Sequence, residues 1–298
     1  MPPTLIAEQA EGPVSPEDAH RGVPAAARKP APAPRLAVTW RAVSHQGLMR
    51  ERNEDSLCAE GDPVKGPAQR YLFAVADGVG GHGGGEHASR LAVRSLSDSF
   101  HAWKGGGAGR FLDRALREAN QAVFREAHAQ PEFPKMQTTL TAVVLEENSI
   151  AAGHVGDCRL YRMRGGDLSL LTRDHSMANE LLKMRLISPE QAEGHPGRHQ
   201  LVRSLGGDPF LRTDITRDEV RSGDTYLLCC DGLWGELTGD DVRAGLQEAN
   251  ASAACERLVR IALKAGAPDN ISAIVFRVTA TGLAAAIPFS WRSLLGRR

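Results

Sequence analysis

The sequence lacks the features of several large protein classes. Its 36 lysines and arginines are matched by 36 aspartates and glutamates, so no net charge draws it towards nucleic acid or an anionic membrane. No apolar run is long enough to span a bilayer, and the N-terminus lacks the basic and apolar segments of a secretory signal. We therefore expect a cytoplasmic protein with no nucleic-acid partner and no membrane association.

Cysteine is scarce, and its spacing does not suit a structural role in disulfides or zinc sites. The five cysteines form no CxxC pair, and their number is odd. This argues against a disulfide framework or a thiolate zinc site and favours a reducing compartment. Cys229 and Cys230 lie inside an apolar run, which predicts that they pack in a core.

The composition divides the chain into one ordered domain with two tails. Residues 1–35 are rich in proline and alanine and show no periodicity, which predicts a disordered tail. The domain is expected over residues 36–279, and the 42% of hydrophobic residues in the chain suffices for a sizeable core. Residues 280–298 form a basic, amphipathic C-terminal tail in this interpretation.

Periodicity predicts a mixture of helices and antiparallel strands. Residues 71–76 are a continuous apolar run, typical of a strand buried on both faces. Residues 176–199 are polar and interrupted by prolines and glycines, with one short helix near 177–184. Further helices are predicted at 86–103, 111–129, 240–248 and 252–265. Further strands are predicted at 36–44, near 57, and at 138–146, 149–155, 159–162, 168–171, 226–230 and 270–278.

Four carboxylates stand at the ends of predicted strands: Asp77, Asp157, Asp231 and Asp269. Taken singly, each is better explained as part of a turn. Taken together, the four are expected to lie close to one another, because the core sheets bring the strand ends to one place. Like charges at such short distances repel strongly in a partly dry site. Divalent cations relieve that repulsion, and all-oxygen ligands select magnesium or manganese over zinc. The sequence therefore predicts a multi-metal carboxylate site.

Eight short motifs include these residues: RERNED (50–55), DGVGGHGGGEHAS (77–89), KMQTTL (135–140), GDCRLY (156–161), LTRDHS (171–176), LVRSLGG (201–207), LLCCDGLW (227–234) and DNIS (269–272). In this order and spacing, the chain resembles the metal-dependent protein phosphatases of type 2C in their bacterial form. The resemblance runs from about residue 38 to residue 278. Any one motif is weak, but the ordered set is specific.

The resemblance implies an α+β fold, a four-layer α-β-β-α sandwich of two antiparallel sheets flanked by helix pairs. It also implies two Mn²⁺ or Mg²⁺ ions and a weaker third ion. Asp77 would bridge the two ions, Asp55 would orient a metal-bound water, and Arg50 would bind the substrate phosphate. The implied metal ligands are Asp231 and Asp269 for the first ion, Glu54 for the second, the Gly78 carbonyl beside the bridging Asp77, and Asp157 with Asp231 for the third.

The activity implied by the resemblance is hydrolysis of phosphoserine and phosphothreonine in proteins by a hydroxide that bridges the two ions. The CxxxxxR spacing of phosphatases that attack through a thiolate occurs only at Cys158–Arg164, where residues 159–162 are predicted to form a strand rather than a loop. The expected partners are phosphorylated proteins, with a bacterial Ser/Thr kinase and its targets among them, and a monomer is expected. Two alternatives stay open: a non-catalytic phosphoprotein-binding module of this fold, and a regulator phosphatase acting on a sigma-factor antagonist.

Several residues depart from the family pattern. His45 replaces a usual aspartate, Cys158 replaces a usual serine, and Val79 stands where eukaryotic relatives carry a proposed general acid. Residues 176–199 match the family's flap, a variable segment beside the site that would set substrate preference. Among the histidines, His82 and His175 are expected to be structural. Pro196 and Gly197 break the helix that zinc binding by His195 and His199 would need.

Overall fold

The computed structural model of the protein describes residues 36–62, 70–79, 84–130, 132–133 and 135–280. The predicted tails at residues 1–35 and 280–298 lie outside the described residues, except for Ala280, and so does His82. Within the described ranges, no helix is both long enough and apolar enough to cross a membrane.

The described chain contains twelve strands: β1 (Leu36–His45), β2 (Ser56–Asp62), β3 (Arg70–Ala76), β4 (Gly78–Val79), β5 (Gln137–Thr138), β6 (Leu140–Glu146), β7 (Ser149–Val155), β8 (Arg159–Arg164), β9 (Asp167–Leu170), β10 (Asp214–Glu219), β11 (Thr225–Cys229) and β12 (Ile271–Ala280). Its α-helices are α1 (Gly84–Ala102), α2 (Ala108–Ala129), α3 (Met177–Lys183), α4 (Pro189–Glu193), α5 (Asp231–Trp234), α6 (Gly239–Leu246) and α7 (Ala251–Ala265).

Two five-stranded sheets form the centre of the domain, and every strand pair is antiparallel. The first sheet has the order β1-β12-β11-β8-β9, and the second has the order β10-β7-β6-β3-β2. The predicted hairpin at Gly165 and Gly166 joins β8 to β9, and both glycines have positive φ, 58° and 91°. A two-residue turn with positive φ at both positions matches the twist of the strands it connects.

The apolar residues form three cores, one between the sheets and one under each helix pair. Between the sheets, Phe73 of β3 stacks on Phe276 of β12 with 4.4 Å between ring centroids, and Tyr226 of β11 stacks on Phe276 at 4.8 Å. Helices α1 and α2 cover the second sheet, and α6 and α7 cover the first. This arrangement confirms the predicted four-layer sandwich.

The long helices form where helical periodicity predicted them. Helix α2 buries one apolar stripe against the second sheet, which is the face expected of an amphipathic helix. Helix α7 begins after Asn250, whose side chain accepts a hydrogen bond from the Ala253 amide, and ends at Gly266 with φ of 115°. The predicted inner-face residues of α2 are all buried: Leu112, Ala115, Leu116, Ala119 and Val123.

Three elements differ from the sequence-based prediction. Pro189 does not break the polar segment but occupies the first turn of α4, where its missing amide costs nothing, and Ser188 caps that helix. The predicted strand 138–146 divides at Thr139, so β5 pairs with β4 while β6 stays in the second sheet. Strand β10 was not predicted, because its sequence DITRDE is polar and it pairs only with β7 at the sheet edge.

Candidate metal centre

The strand-end carboxylates meet in one cavity of about 920 Å³. Asp77 directly follows β3 of the second sheet, whereas Asp231 follows β11 of the first sheet after one residue. The face-to-face packing of the sheets therefore places side chains that are distant in the sequence next to each other. The predicted site residues that line this cavity are Arg50, Glu54, Asp77, Gly78, Asp157, Asp231 and Asp269.

Asp55, the remaining predicted site residue, lies directly behind Asp77. Carboxylate oxygens of both residues and the sulfur of Cys230 lie within 4.8 Å of one another. Neither oxygen of Asp55 has a hydrogen-bond partner among the described residues, although both are buried. Burial raises the pKa of Asp55 to about 7, an effect that the neighbouring Ser272 and Cys230 only partly offset. An unpartnered buried carboxylate is costly, so this position calls for a cation or a bound water.

Asp77 is surrounded by other acids. Burial raises the pKa of Asp77 well above its usual value, and the nearby charges of Asp55, Asp231 and Asp157 raise it further. Burial also acts to raise the pKa of Asp231, but its hydrogen bonds with His199 and Asp77 outweigh burial and lower it. Opposite directions for two neighbouring acids are typical of closely spaced carboxylates, which do not ionise independently.

A second group of ligand-type atoms contains a residue whose role the sequence did not reveal. Atoms of Asp157, His199 and Asp231 lie within 4.8 Å of one another. The Arg198 Nε donates to His199 Nε2 at 2.7 Å, so the His199 Nδ1 carries the proton and donates to Asp231 Oδ2 at 3.2 Å. The His195 side chain is engaged elsewhere, since it caps the 3₁₀ turn Pro196–His199.

Arg50 contacts a predicted metal ligand. Its guanidinium donates to Asp269 Oδ2 at 2.6 Å, and its side chain is 52% exposed at the cavity. The hydrogen bond to Asp269 is the main reason that the pKa of Arg50 is raised, and Asp77 and Glu54 add to it. A half-exposed arginine that faces the carboxylates can turn towards an anionic ligand without losing a packed position.

Asn270 holds the loop that carries Arg50 and Glu54 against the start of β12. Its side-chain oxygen accepts from the Glu54 amide at 2.8 Å, and its Nδ2 donates to the carbonyls of Gln46 and Arg52 at 2.7 and 2.9 Å. All of these hydrogen bonds span more than 200 residues, so only the folded chain shows them. Asn270 is therefore a positioning residue. The sequence analysis included it in the motif DNIS but assigned it no role.

Gly78 shows why the loop after Asp77 is poor in side chains. A β-carbon at Gly78 would lie 2.3 Å from the Gly85 carbonyl oxygen and 2.5 Å from the Glu54 carbonyl oxygen. Only glycine lets the backbones of these three segments come so close together. This close approach brings Glu54 to the same cavity as Asp77.

The residues that depart from the family pattern keep structural roles. His45 Nδ1 accepts a hydrogen bond from the Gly47 amide at 2.9 Å, which an aspartate could also do. Cys158 is buried, with its sulfur 3.2 Å from the Thr139 hydroxyl. His175 fixes the loop before Asp157, because its Nδ1 accepts from the Gly156 amide at 3.1 Å.

The segment that lines the cavity differs from the predicted flap. Of residues 176–199, only His199 lines the cavity, and the neighbouring segment 201–212 contributes nine further lining residues. Helices α3 and α4 instead line a separate groove of about 630 Å³ against α5 and α6. Of the predicted flap, it is therefore the C-terminal end that borders the cavity, next to the segment 201–212.

The residues present fit hard divalent cations. The donors that face the cavity are carboxylate and carbonyl oxygens with one imidazole, and no thiolate is available because burial raises the pKa of Cys230. Such donor sets suit magnesium or manganese. A positive ion would stabilise two groups in this structure. It would offset the charge of the unpartnered Asp55 carboxylate, and it would reduce the repulsion between Asp77 and the acids around it.

Comparison with known protein sequences gives relatives of one kind. The chain is 36% identical over 240 residues to the serine/threonine protein phosphatase PstP of Mycobacterium tuberculosis H37Rv. That match covers 80% of this chain but 45% of PstP, so the chain spans about half the length of that relative. The serine/threonine phosphatase stp of Listeria monocytogenes serovar 1/2a is 32% identical over 238 residues, which are 77% of this chain and 92% of stp.

Solved structures give the same result. The Mycobacterium tuberculosis phosphatase PstP/Ppp superposes with a TM-score of 0.75 at 35% identity, covering 81% of this chain and 99% of that one. The PstP catalytic domain in complex with two manganese ions superposes with a TM-score of 0.72 at 35% identity, covering 82% and 99%. A family model described as protein phosphatase 2C matches residues 50–273. With its two-sheet sandwich and convergent carboxylates, the chain belongs to the protein phosphatase 2C family.

Proposed function

We propose that this protein is a metal-dependent protein phosphatase that removes phosphate from phosphoserine and phosphothreonine. The observation that carries the proposal is the convergence of Asp77, Asp231 and Asp269 with Arg50 in one cavity. Acidic side chains from both sheets offer a place for cations, and an arginine beside them offers a place for a phosphate. The relatives named above, one of them solved with two manganese ions, support this reading.

The residues that would hold the ions are those that the sequence predicted, with one addition. We propose that Asp77, the Gly78 carbonyl, Glu54, Asp231 and Asp269 hold two Mn²⁺ or Mg²⁺ ions. Asp157 and Asp231 would hold the third, with His199 beside them. When bound, such ions lower the pKa of a coordinated water and offset negative charge on the phosphoryl oxygens.

The protein's own groups then have distinct tasks. Arg50 would exchange its contact with Asp269 for two oxygens of the substrate phosphate, which a guanidinium fork fits. Asp55 would accept a hydrogen bond from water, since its two oxygens have no partner among the described residues. Asn270 would hold the loop that carries Arg50 and Glu54 in place beside the strand ends.

A cysteine-based mechanism has no support in the structure. All five cysteines are buried, and burial is the main cause that raises the pKa of each thiol. A nucleophilic cysteine needs the opposite, a lowered pKa and access to substrate. Water is therefore the nucleophile in this proposal, and no covalent phosphoenzyme forms.

The wider setting is also part of the proposal. We propose that the substrates are proteins phosphorylated by a bacterial Ser/Thr kinase, with the kinase itself among them, and that the protein acts in the cytoplasm as a monomer. The family match supports the substrate class, and the balanced charge of the chain gives no reason to expect a membrane or nucleic-acid partner.

The test is an assay of the full chain on a phosphothreonine peptide, a phosphotyrosine peptide and p-nitrophenyl phosphate. We expect phosphate release from the phosphothreonine peptide that requires manganese or magnesium, stops with a chelator and returns when metal is restored. The phosphotyrosine peptide should react more slowly. Metal binding without hydrolysis of any of the three would contradict the proposal and favour the non-catalytic binding module.

A further inference from the structure

Phe210 is the most exposed large hydrophobic residue among the described residues. Its exposed fraction is 89%, and it lines the same cavity as the carboxylates. Val202 and Val79, which are 39% and 40% exposed, line that cavity too. Three exposed apolar side chains that line one polar cavity are a feature of binding surfaces rather than of singly scattered surface residues.

The loop that carries Phe210 is held firmly by α2. The Asn120 side chain donates to the Asp208 carbonyl at 2.9 Å and accepts from the Gly206 amide at 2.8 Å, and Gln121 donates to the Pro209 carbonyl. The Phe210 amide donates to Asp208 Oδ1 at 2.7 Å, which closes a local turn. The backbone is therefore ordered before any ligand arrives, so binding to Phe210 costs little additional loop entropy.

Arg212 is the charged neighbour of Phe210 on this loop. It lines the cavity, and none of the described residues forms a hydrogen bond or an ion pair with its side chain. Arg203, the other arginine of the segment 201–212 that could serve the same purpose, is already paired with Asp214 at 3.0 Å and with Glu180. Arg212 is thus the cation of this wall that is available to an acidic ligand.

The size of the cavity also exceeds what a phosphorylated side chain needs. Its volume of about 920 Å³ is at the upper end of the roughly 300–1,000 Å³ that hold a whole drug-sized ligand. The carboxylates and Arg50 make up only part of its lining, and the segment 201–212 makes up another part. Space for several residues of an extended polypeptide therefore remains beyond the phosphate.

We propose that Phe210 and Arg212 form a subsite for the polypeptide that flanks the phosphorylated residue. Phe210 contacts an apolar side chain of the substrate, and Arg212 pairs with an acidic one. The inference rests on the proposed phosphatase function and adds the class of sequence that the site selects. The preferred substrate is a phosphoserine or phosphothreonine peptide with one apolar and one acidic residue near the phosphate.

The first test compares Phe210→Ala with the parent protein on two substrates. One is a phosphothreonine peptide with leucine and aspartate near the phosphothreonine, and the other is p-nitrophenyl phosphate. We expect the ratio of the two kcat/KM values to fall about tenfold, mainly through the peptide KM, since a well-placed aromatic contact is worth over 1 kcal/mol. Leu186→Ala is the matched control, because Leu186 is 66% exposed but does not line the cavity.

The second test uses charge reversal. Arg212→Glu should lower kcat/KM for the peptide with aspartate. The same variant should have a higher kcat/KM for a peptide in which lysine replaces that aspartate. A loss of stability alone would lower both values and could not produce this reversal. An unchanged ratio for Phe210→Ala together with no charge preference for Arg212→Glu would overturn the proposal. Failure of the parent protein to hydrolyse either substrate would instead overturn the phosphatase function itself.

Discussion

Replacing Asp77 with asparagine is expected to abolish metal-dependent phosphate release, with a loss of about 10³-fold or more in kcat. Three neighbouring acids, Asp55, Asp231 and Asp157, act on Asp77 and raise its pKa. Asparagine keeps the shape but removes the charge that would be shared between two ions. The measurement is phosphate release from a phosphothreonine peptide over a range of manganese concentrations.

The same substitution is expected to stabilise the metal-free protein. Asp77 adds a partly buried carboxylate to a group of like charges, and the neutral amide removes that repulsion. The thermal midpoint should rise by about 2–4 °C for each kcal/mol gained, while the further rise that manganese produces in the parent protein should shrink. Asp240→Asn on α6 is the control, because Asp240 is 91% exposed and does not line the cavity. A lower midpoint for the metal-free Asp77→Asn variant would contradict this account.

The second large effect is a loss of stability, which we expect from the substitution Asp174→Ala. Asp174 is 3% exposed and receives Nη2 and Nε of Arg159 at 2.7 and 3.0 Å. The Arg159 guanidinium also lies 3.5 Å from the Trp234 ring centroid, and Trp234 Nε1 donates to the Asp157 carbonyl at 2.9 Å. Removing one partner of a buried ion pair leaves the other charge uncompensated and costs about 3–5 kcal/mol.

The consequence of Asp174→Ala is measurable as a fall of roughly 6–20 °C in the thermal midpoint, at 2–4 °C for each kcal/mol. The matched control is Asp240→Ala, which breaks the exposed ion pair with Arg243 and should cost less than about 1 kcal/mol. If both variants unfold within 2 °C of the parent protein, the Arg159–Asp174 pair does not have the structural role assigned here.

The sequence predicted those elements that carry a clear hydrophobic period. Helix α2 buries every residue that its spacing predicted, and strand β3 buries its continuous apolar run. Helix α1 also forms as predicted, although Leu91 on its inner face is only partly buried. Strand β10 escaped prediction because an edge strand with one pairing partner carries little apolar sequence. Helix α4 was missed because Pro189 was interpreted as a breaker, although proline at the first turn favours a helix.

The candidate site was predictable to a different degree at each residue. Asp77 and Asp231 were found because an aspartate that follows a buried strand is unusual, but their proposed roles come from the family resemblance. His199 and Asn270 could not be placed, since their contacts with Asp231 and Glu54 join parts of the chain that only folding brings together. Nothing in the sequence indicated a role for Phe210, because the exposure of its side chain depends on how the chain folds.

Manganese-edge anomalous diffraction from crystals of the full chain grown with Mn²⁺ is the most direct test of whether these acids share cations. We expect two strong peaks within about 2.1 Å of carboxylate oxygens, both next to Asp77, with Asp231 and Asp269 at one and Glu54 at the other. A weaker peak is expected between Asp157 and Asp231. A map with no anomalous density among Asp77, Asp231 and Asp269 would contradict the account.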